Sequence, residues 1–330
     1  MYDHYIGLDW AQDIMALARM TKKAKKIHDF ERKADIRELK DYLYSLRGTI
    51  QLTFEESTSS QWLYTELRDV VDDLIVCDPR RNSLMREGPK TDRIDAIKLL
   101  RLMRADMLKP VYHSGDEFIY IRKLVSGYQD LIKAMVRTKN QKTAILRASG
   151  KRKEDNEVGD SSSKFVLDIY NECIASQTLQ KKRYLEKFNE ISKKHKVVRC
   201  LKTIPGISTI NAVKLAAIVV DAKRYPTAGH FLSYCGLIKY DLQSGGKSYG
   251  RRKTNYNRTL KNVFDTAAVV AMSSKNNSEM KQSYNYYLDV KNLPAHSARR
   301  ALSRYIARCA YGVMKSNSKY SPARRSEGIV

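Results

Sequence analysis

The sequence predicts a mixed fold, an α/β domain followed by an all-α region, and two patterns of apolar spacing support that prediction. In the first hundred residues, short strand-like runs alternate with segments of helical period, which is typical of a sheet with helices packed on it. From residue 117 to residue 195 the period is helical throughout. Hydrophobic residues make up 42% of the 330 residues, which is enough for a sizeable core.

The predicted α/β domain lies between residues 5 and 108. Strands are expected where short apolar runs alternate with polar residues or lie between polar turns, and the last of them stops at a proline. Helices are expected where apolar residues recur every three or four positions. The predicted strands cover residues 5–9, 14–20, 49–56 and 74–79, and the predicted helices cover residues 34–46, 62–71 and 92–108.

Two long helices are predicted after this domain, over residues 117–148 and 163–195. Residues 150–162 between them are charged and contain Gly and Ser, which is typical of an exposed turn. Two helices of this length either pack on each other as an antiparallel pair or form a coiled-coil contact between subunits.

A third region begins near residue 198, where Pro205 and Gly206 interrupt a helical pattern that resumes at Thr209. This turn either offers backbone N–H groups to a DNA phosphate or simply joins two helices, and the spacing leaves both readings open. Residues 242–256 are expected to form a glycine-rich basic loop. The predicted domains are an α/β domain over residues 1–112, a helical coiled-coil linker for dimerisation over residues 113–197, and a mainly helical domain over residues 198–330.

The charge of the chain predicts a polyanionic partner. The sequence holds 61 Lys and Arg against 36 Asp and Glu, and residues 251–330 alone contain 16 basic and 4 acidic residues. Tyrosines are interleaved in that segment, and rings beside cations suit phosphates and unpaired bases. We therefore expect a nucleic-acid surface there, in preference to a solvated basic face with buried tyrosines. The tyrosines are Tyr256, Tyr284, Tyr286, Tyr287, Tyr305 and Tyr311.

Cysteine spacing and hydropathy exclude two other classes of protein. Five cysteines without a C-x-x-C pair exclude a disulfide scaffold, argue against a zinc ribbon and favour a reducing compartment. The longest apolar stretch, residues 212–220, is short and contains Lys214, so it cannot span a bilayer. We expect a cytoplasmic protein with no membrane partner.

Four acidic residues stand where a metal site could form. Asp9 and Glu56 end two predicted strands of one sheet, and Asp92 and Asp95 lie three residues apart on one helix face. Mg²⁺ prefers carboxylate oxygens from different elements, and a pair of such ions about 4 Å apart activates oxygen nucleophiles on phosphodiesters. Acids at these positions are also common without a metal. Glu55 competes with Glu56 for the same role, and strand alternation does not choose between them.

Ser244 is the candidate nucleophile. It precedes Gly245 and Gly246, beside basic residues that could stabilise charge on a phosphodiester under attack. Taken alone, the segment is better described as a hairpin turn in a basic region. A P-loop is excluded, because the G-x-x-x-x-G-K-[ST] spacing is absent. The basic residues assigned to nucleic-acid binding are Lys247, Arg251, Arg252, Lys253, Arg258 and Lys261.

These motifs, in this order, resemble the DEDD transposases of the insertion-sequence group numbered one-ten, which includes the Piv-type DNA invertases and the bridge-RNA-guided recombinases. The most specific match is the run Lys-Thr-Asp-Arg-Ile-Asp-Ala at residues 90–96. Residues 5–9 resemble the family's first strand, and the Glu-Ser-Thr run at residues 56–58 resembles its Glu-x-Thr-Gly, which selects Glu56 over Glu55. In the second half, the runs Ile-Pro-Gly-Ile at 204–207, Tyr-Cys-Gly-Leu at 234–237 and Gln-Ser-Gly at 243–245 follow the family's order.

The resemblance implies a RuvC-like domain of RNase H fold, in which the four acids bind Mg²⁺, and a transposase domain with Ser244 as nucleophile. The helical middle would be a dimerising coiled coil in a homodimer or homotetramer, with domains of different subunits meeting at a composite site. The serine would become joined to a DNA 5′ phosphate during exchange between donor and target DNA. A structured noncoding guide RNA is implied for the insertion-sequence branch. The setting would be the nucleoid of a bacterium or archaeon.

Three functions follow from these observations. The leading one is a site-specific DNA recombinase or transposase. The alternative is a RuvC-like nuclease that hydrolyses DNA through the acids alone, and Ser244→Ala would then keep cleavage. The third is a non-catalytic nucleic-acid-binding protein, and Asp92→Ala would then leave its function intact.

Overall fold

The computed structural model describes residues 1–23, 26–79, 91–113, 117–152, 154–155, 158–252, 255–273 and 278–322. The chain divides into two compact units, residues 1–115 and residues 116–330. Lys90, which opens the most specific motif, and Lys253, a predicted nucleic-acid ligand, lie outside the described residues.

The first unit contains a five-stranded mixed sheet. Its strands are β1 (His4–Trp10), β2 (Ile14–Thr21), β3 (His28–Lys33), β4 (Ile50–Glu55) and β5 (Asp73–Cys77). They lie in the order β3-β2-β1-β4-β5. β1 pairs antiparallel with β2 and parallel with β4, and β4 pairs parallel with β5. The carboxyl ends of β1, β4 and β5 therefore meet at one edge of the sheet.

β3 departs from the sequence prediction, which placed no strand between residues 20 and 34. The strand His-Asp-Phe-Glu-Arg-Lys has a single apolar residue, Phe30, and it lies at the edge of the sheet, paired only with β2. Edge strands tolerate charged side chains, and such side chains discourage pairing with other chains. The alternation that predicts a half-buried strand is consequently missing from this segment.

Helices cover both faces of the sheet, with α1 (Ile36–Tyr44) and α2 (Ser60–Leu67) on one face and α3 (Asp92–Arg104) on the other. The first two helices bury leucine side chains against alternate residues of β1 and β4. α3 buries Ala96 and Leu100 against the opposite face. Each side of the parallel part of the sheet is thereby shielded from water.

Two predicted helices have different bounds in the structure. The helix predicted over residues 62–71 begins at Ser60 and ends at Leu67, where the N–H groups of Val70 and Val71 both donate to the Leu67 carbonyl. The helix predicted over residues 92–108 ends at Arg104, because Asp106 has a φ of 55°, which an α-helix does not accommodate.

The second unit is mainly helical, as predicted. α4 (Phe118–Ala148) and α5 (Ser161–Lys194) agree with the two predicted long helices to within two residues. The shorter helices are α6 (Lys196–Leu201), α7 (Thr209–Val219), α8 (Ala228–Tyr234), α9 (Arg258–Ser273), α10 (Glu279–Asp289) and α11 (Ala295–Ser316). Val125 of α4 and Phe188 of α5 are buried in one core with these helices, so the predicted boundary between residues 197 and 198 falls inside that core. No helix in the described residues is long and apolar enough to cross a membrane.

The turn between α6 and α7 is a packing element. Gly206 lies so close to α9 that a Cβ atom there would be 2.3 Å from the Ala267 carbonyl oxygen. The contact accounts for a glycine in a turn that joins two packed helices.

Candidate functional site

Asp9 and Glu56 lie at the same edge of the five-stranded sheet. Asp9 is the penultimate residue of β1, and Glu56 directly follows the last residue of β4. Leu8 pairs with Phe54 in parallel register, so the carboxyl ends of the two strands lie side by side. This edge of a parallel sheet is where α/β proteins commonly bind ligands.

The first turn of α3 lies at the same end of the sheet as Asp9. Gly7 of β1 meets the α3 backbone at Ala96. At the other end of α3, the Arg104 guanidinium carbon lies 5.8 Å from the centroid of the Tyr5 ring. α3 therefore runs antiparallel to β1, and its amino-terminal end lies near the carboxyl end of that strand. Asp9 is two residues beyond Gly7, so it is on the sheet face that α3 covers.

The start of α3 is capped, and the cap is followed by two aspartates in the first turn. The Ile94 N–H donates a hydrogen bond to Thr91 Oγ1 at 3.3 Å. Asp92 and Asp95 follow, where negative charge interacts favourably with the helix dipole. That interaction alone accounts for acids in this turn, so a metal role needs a further observation.

Asp95 provides such an observation. Its side chain is only 14% exposed, and its buried Oδ1 accepts no hydrogen bond from any residue that the structure describes. Lys98 Nζ forms an ion pair with this oxygen at 3.6 Å, which is too long for a hydrogen bond. A buried carboxylate oxygen without a donor is costly, and a hard cation would satisfy it. Asp95 is therefore a candidate ligand for a divalent cation at this end of the sheet.

Glu56 has a different partner, which sequence reasoning missed. Its Oε2 lies 2.5 Å from His113 Nε2, and His113 Nδ1 lies 2.9 Å from Gln61 Oε1 on α2. The His113 side chain is only 4% exposed. The two residues are 57 positions apart, and no local motif links them.

Strand alternation places Glu55, rather than Glu56, on the face covered by α3. Leu52 and Phe54 are buried on the α1 and α2 face, so Glu55 shares the opposite face with Asp9. The Glu56 carboxylate is instead held by His113. Within the described ranges, no three His, Cys, Asp or Glu side chains are close enough together to hold one metal ion.

Ser244 lies at the tip of a hairpin, and the basic loop predicted over residues 242–256 is corrected accordingly. β6 (Tyr240–Ser244) and β7 (Lys247–Arg252) pair antiparallel, with Ser244 opposite Lys247. Gly245 and Gly246 form the two-residue turn with φ values of 55° and 76°. Positive φ at both positions is the signature of a type I′ turn, whose twist matches that of paired strands. Every residue of both strands is exposed.

The predicted nucleic-acid ligands are in different environments. Lys247 and Arg252 are exposed on β7, whereas Arg251 Nε lies 2.9 Å from Asp241 Oδ1 across the hairpin. Arg258 is the first residue of α9. Lys261 Nζ lies 5.4 Å from the Tyr256 ring centroid. These residues extend the basic surface from the hairpin to the start of α9.

Two of the interleaved tyrosines serve the protein core, contrary to the expected stacking role. Tyr311 is 8% exposed, and its hydroxyl donates to the Tyr225 carbonyl at 2.9 Å. The Tyr305 hydroxyl donates to Glu279 Oε1 at 2.7 Å. Burial and hydrogen bonding leave neither ring available to a base.

A basic stripe on α11 was not among the sequence predictions. Arg300, Arg304 and Arg308 recur every four residues, so they lie on one side of the helix. Arg300 and Arg308 are exposed, and Arg304 is half-buried. None of the three forms an ion pair with an acid in the described part of the chain. The four-residue spacing was the signal that could have identified this stripe.

Two family models match the chain on either side of α5. Residues 6–149 match a model of DEDD transposases of the IS110 type, described as "Transposase". Residues 198–285 match the model described as "Transposase IS116/IS110/IS902 family". The matched segments together take in more than two thirds of the chain and include all five predicted catalytic residues. The chain belongs to the IS110 family of transposases.

Two relatives in this family are similar over part of their length. The "Insertion element IS110 uncharacterized 43.6 kDa protein" of Streptomyces coelicolor is 30% identical over 33% of this chain and 28% of its own. The "Putative transposase y4qE" of Sinorhizobium fredii is 25% identical over 59% of this chain and 52% of its own. The chain thus matches about a quarter to a half of the length of these curated relatives. The five-stranded mixed sheet and the mostly helical second unit are consistent with an RNase H-like DEDD domain followed by a helical region.

Proposed function

We propose that this protein is the transposase of a mobile element, which cuts and rejoins DNA with a divalent cation, Mg²⁺, and a serine nucleophile. The observation that supports it best is the buried Asp95 Oδ1, which accepts no hydrogen bond within the described residues and lies at the same end of the sheet as Asp9. DEDD transposase domains typically use divalent metal ions. When bound, the cation would stabilise negative charge on the oxygens of a reacting phosphate.

The proposed roles of the acids follow from their positions. Asp9 and Asp95 would bind the cation from the strand and the helix, and Asp92 would contribute from the exposed start of α3. Glu56 would join them from the end of β4 once the cation draws the carboxylates together, since no three of these side chains are close enough to hold one metal ion in the described residues. Carboxylates that come from different elements suit the coordination that Mg²⁺ prefers.

Ser244 is the proposed nucleophile. Its Oγ would form a bond to the scissile phosphorus while the bond from that phosphorus to the 3′ oxygen breaks. The serine proton passes to solvent, and the leaving 3′ oxygen takes up a proton to become a free hydroxyl. Two features support this role. The serine lies at the exposed tip of the hairpin, where it could reach DNA, and the cation of the neighbouring Lys247 could stabilise the negative charge on the oxygens of the five-coordinate phosphorus.

The basic hairpin and the α11 stripe are proposed to bind nucleic acid backbone. Such contacts fix position without reading sequence, so sequence choice would fall to another component. We propose that a structured RNA pairs with donor and target DNA, as in other guided systems.

Self-association is proposed for the long helices. Phe165 is 68% exposed and Leu179 is 63% exposed on α5, and Val136 is 53% exposed on α4. Large apolar side chains along two helices are typical of a contact between copies. Light scattering should give a dimer or tetramer that dissociates when Phe165 and Leu179 are replaced by Glu.

The decisive experiment incubates the purified protein, Mg²⁺ and its co-purified RNA with DNA carrying the flanks of its own gene. Denaturing gels with and without protease should reveal a protein–DNA adduct. The adduct should be absent in Ser244→Ala and in Asp92→Ala. Ser248→Ala is the matched control, because Ser248 lies on β7 of the same exposed hairpin.

The nuclease alternative gives a different result in the same gels. It predicts free nicked DNA without an adduct, at the same level in Ser244→Ala as in the wild type. That result would refute the covalent mechanism and retain a role only for the acids.

A further inference from the structure

Four exposed cations, which we call the α6 patch, lie outside both the hairpin and the α11 stripe. Three of them recur every three residues and share the solvent side of α6 and its C-cap, because Val198 and Leu201 are buried on the other side. The fourth follows the end of α11. The patch consists of Lys196, Arg199, Lys202 and Lys319.

A hydrogen bond brings the segment after α11 to the end of α6. The Tyr320 N–H donates to Thr203 Oγ1 at 2.8 Å. Thr203 directly follows Lys202, and Tyr320 directly follows Lys319. The cations of α6 and the cation beyond α11 therefore belong to one surface, although 117 positions separate the two bonded residues.

The two segments that build the patch carry no negative side chain. Residues 191–220 and residues 290–322 contain neither Asp nor Glu. In the part of the chain that the structure describes, none of the four cations forms an ion pair with an acid. Cations crowded on one surface repel each other, so a polyanion that neutralises them binds favourably.

Glu117 and Glu279, whose contacts bring them to the edge of this surface, are both engaged elsewhere. Glu117 Oε1 forms an ion pair with Lys194 Nζ at 2.6 Å. Glu279 Oε2 accepts a hydrogen bond from the Tyr320 hydroxyl at 2.6 Å. The positive charge of the patch is therefore left to an external partner.

The composition of the patch favours paired nucleic acid over a single strand. Residues 191–220 contain no Phe, Trp or Tyr, whereas proteins that bind single strands supply rings on which bases stack. Lys and Arg side chains suit the phosphates that a duplex presents on its outside. DNA is the polyanion on which a transposase acts.

We infer that the α6 patch binds the phosphate backbone of duplex DNA. This inference rests on the proposed action on DNA, but on neither the divalent cation nor the serine nucleophile. Ser316, the last residue of α11, lies eight residues beyond Arg308, or about 12 Å along the helix. The patch thus extends the DNA-binding surface past the end of the α11 stripe.

Two triple variants of the full-length protein test the patch against net charge. The first replaces Lys196, Arg199 and Lys202 by Gln. The control replaces three cations on α5, which are exposed and form no ion pair within the described residues, by Gln. These are Lys164, Lys182 and Arg183. Binding to a fluorescent DNA duplex of unrelated sequence and to the RNA duplex of the same sequence is measured by anisotropy over a range of KCl concentrations, alongside thermal melting.

We expect the patch variant to bind the DNA duplex about tenfold or more weakly and the control to stay within about twofold of wild type. The slope of log K against log salt should fall by up to about 3 in the patch variant, since each phosphate contact contributes about 0.9. Unchanged affinity and slope would overturn the inference. Equal losses in both triple variants would also overturn it, because net charge would then govern binding.

The RNA duplex decides between the two kinds of nucleic acid. A larger loss of affinity for the RNA duplex than for the DNA duplex would overturn the assignment to DNA and indicate a surface for structured RNA. If the triple variant fails to fold, Lys202→Gln combined with Lys319→Gln still decides, because both residues are exposed and lie outside the helices. Its slope should fall by up to about 2, and an unchanged slope would refute the inference.

The covalent adduct distinguishes this inference from the proposed function. If the wild type forms the adduct and the patch variant binds the DNA duplex as the wild type does, only the role of the patch is wrong. If the wild type forms no adduct but the patch variant loses affinity for the duplex, the DNA surface is retained and the covalent mechanism is wrong.

Discussion

Gly7 of β1 and Ala96 of α3 are in direct backbone contact, since a Cβ atom on Gly7 would lie 2.1 Å from the Ala96 carbonyl oxygen. The same Cβ would lie 2.9 Å from the Leu100 nitrogen. Only a residue without a side chain lets the helix lie this close to the strand. Asp9 follows Gly7 by two residues and Asp95 directly precedes Ala96, so this contact sets how closely the two acids approach.

Gly7→Ala should therefore displace α3 from the sheet. The atoms in the way belong to the backbone and cannot move aside, so we expect a loss of about 3 kcal/mol in the free energy of unfolding. Urea denaturation followed by circular dichroism measures it. Mn²⁺ affinity should fall in the same variant, because the strand and the helix that carry the acids separate.

Gly312→Ala is the control for this substitution. Gly312 lies in α11 with nothing within 4 Å of an added Cβ, and alanine is the better helix former by about 1 kcal/mol. This variant should be slightly more stable than the wild type. Equal stability of Gly7→Ala and wild type would contradict the close contact of α3 and β1.

The sequence is sufficient to predict the elements whose side chains alternate or repeat with a helical period. β1 and β2 fall where short apolar runs place them, because both of their faces are buried, and the two long helices fall where the helical period places them. β3 escapes prediction, because as an edge strand it buries little beyond Phe30. The pattern of Leu52 and Phe54 fixes the phase of β4, but it cannot say which face α3 covers.

The candidate site was only partly predictable for a related reason. Asp92 and Asp95 were candidates from their spacing on one helix face and were then matched to a short family motif, and the capped first turn of α3 explains why two acids follow each other there. His113 could not be found, because its contact with Glu56 joins residues 57 positions apart through the fold. Contacts between distant segments leave no periodic trace in one sequence.

The hairpin turn gives a test of whether the position of Ser244 matters. Gly245→Asn suits a type I′ turn, whereas Gly245→Val forces a β-branched residue to a φ of 55°. The hairpin is exposed and an added Cβ at Gly245 meets nothing within 4 Å, so melting temperatures should stay within a few degrees of wild type. The DNA adduct should persist in Gly245→Asn and fall at least tenfold in Gly245→Val. Equal adduct yields would mean that the turn does not place the serine.

The α11 stripe predicts a specific change in salt dependence. Replacing Arg300, Arg304 and Arg308 by Ala should weaken nucleic-acid binding. Because each lost phosphate contact removes about 0.9 from the slope of log K against log salt, the slope for duplex DNA should fall by up to about 3. Fluorescence anisotropy over a range of KCl concentrations measures both quantities.

A triple variant with the same loss of charge provides the control. Lys133, Lys187 and Lys194 are exposed, but each is paired with a carboxylate at 2.6–2.9 Å. Replacing them by Ala should change the slope much less. A similar change in both triple variants would indicate that net charge, rather than the stripe, governs binding.

The cysteines should differ widely in reactivity, because burial controls the fraction of thiolate. Cys173 is exposed on α5, whereas burial raises the pKa of the Cys309 thiol to about 11 and also raises the pKa of Cys235. Iodoacetamide at pH 8, followed by mass spectrometry, should modify Cys173 first and Cys309 far more slowly. Denatured protein, the control, should react at all five positions. Since the folded state holds the Cys309 proton more tightly than the unfolded state, stability should fall as the pH rises from about 9 toward 11. Rapid modification of Cys309 in the native protein at pH 8 would contradict the partly buried placement of its side chain.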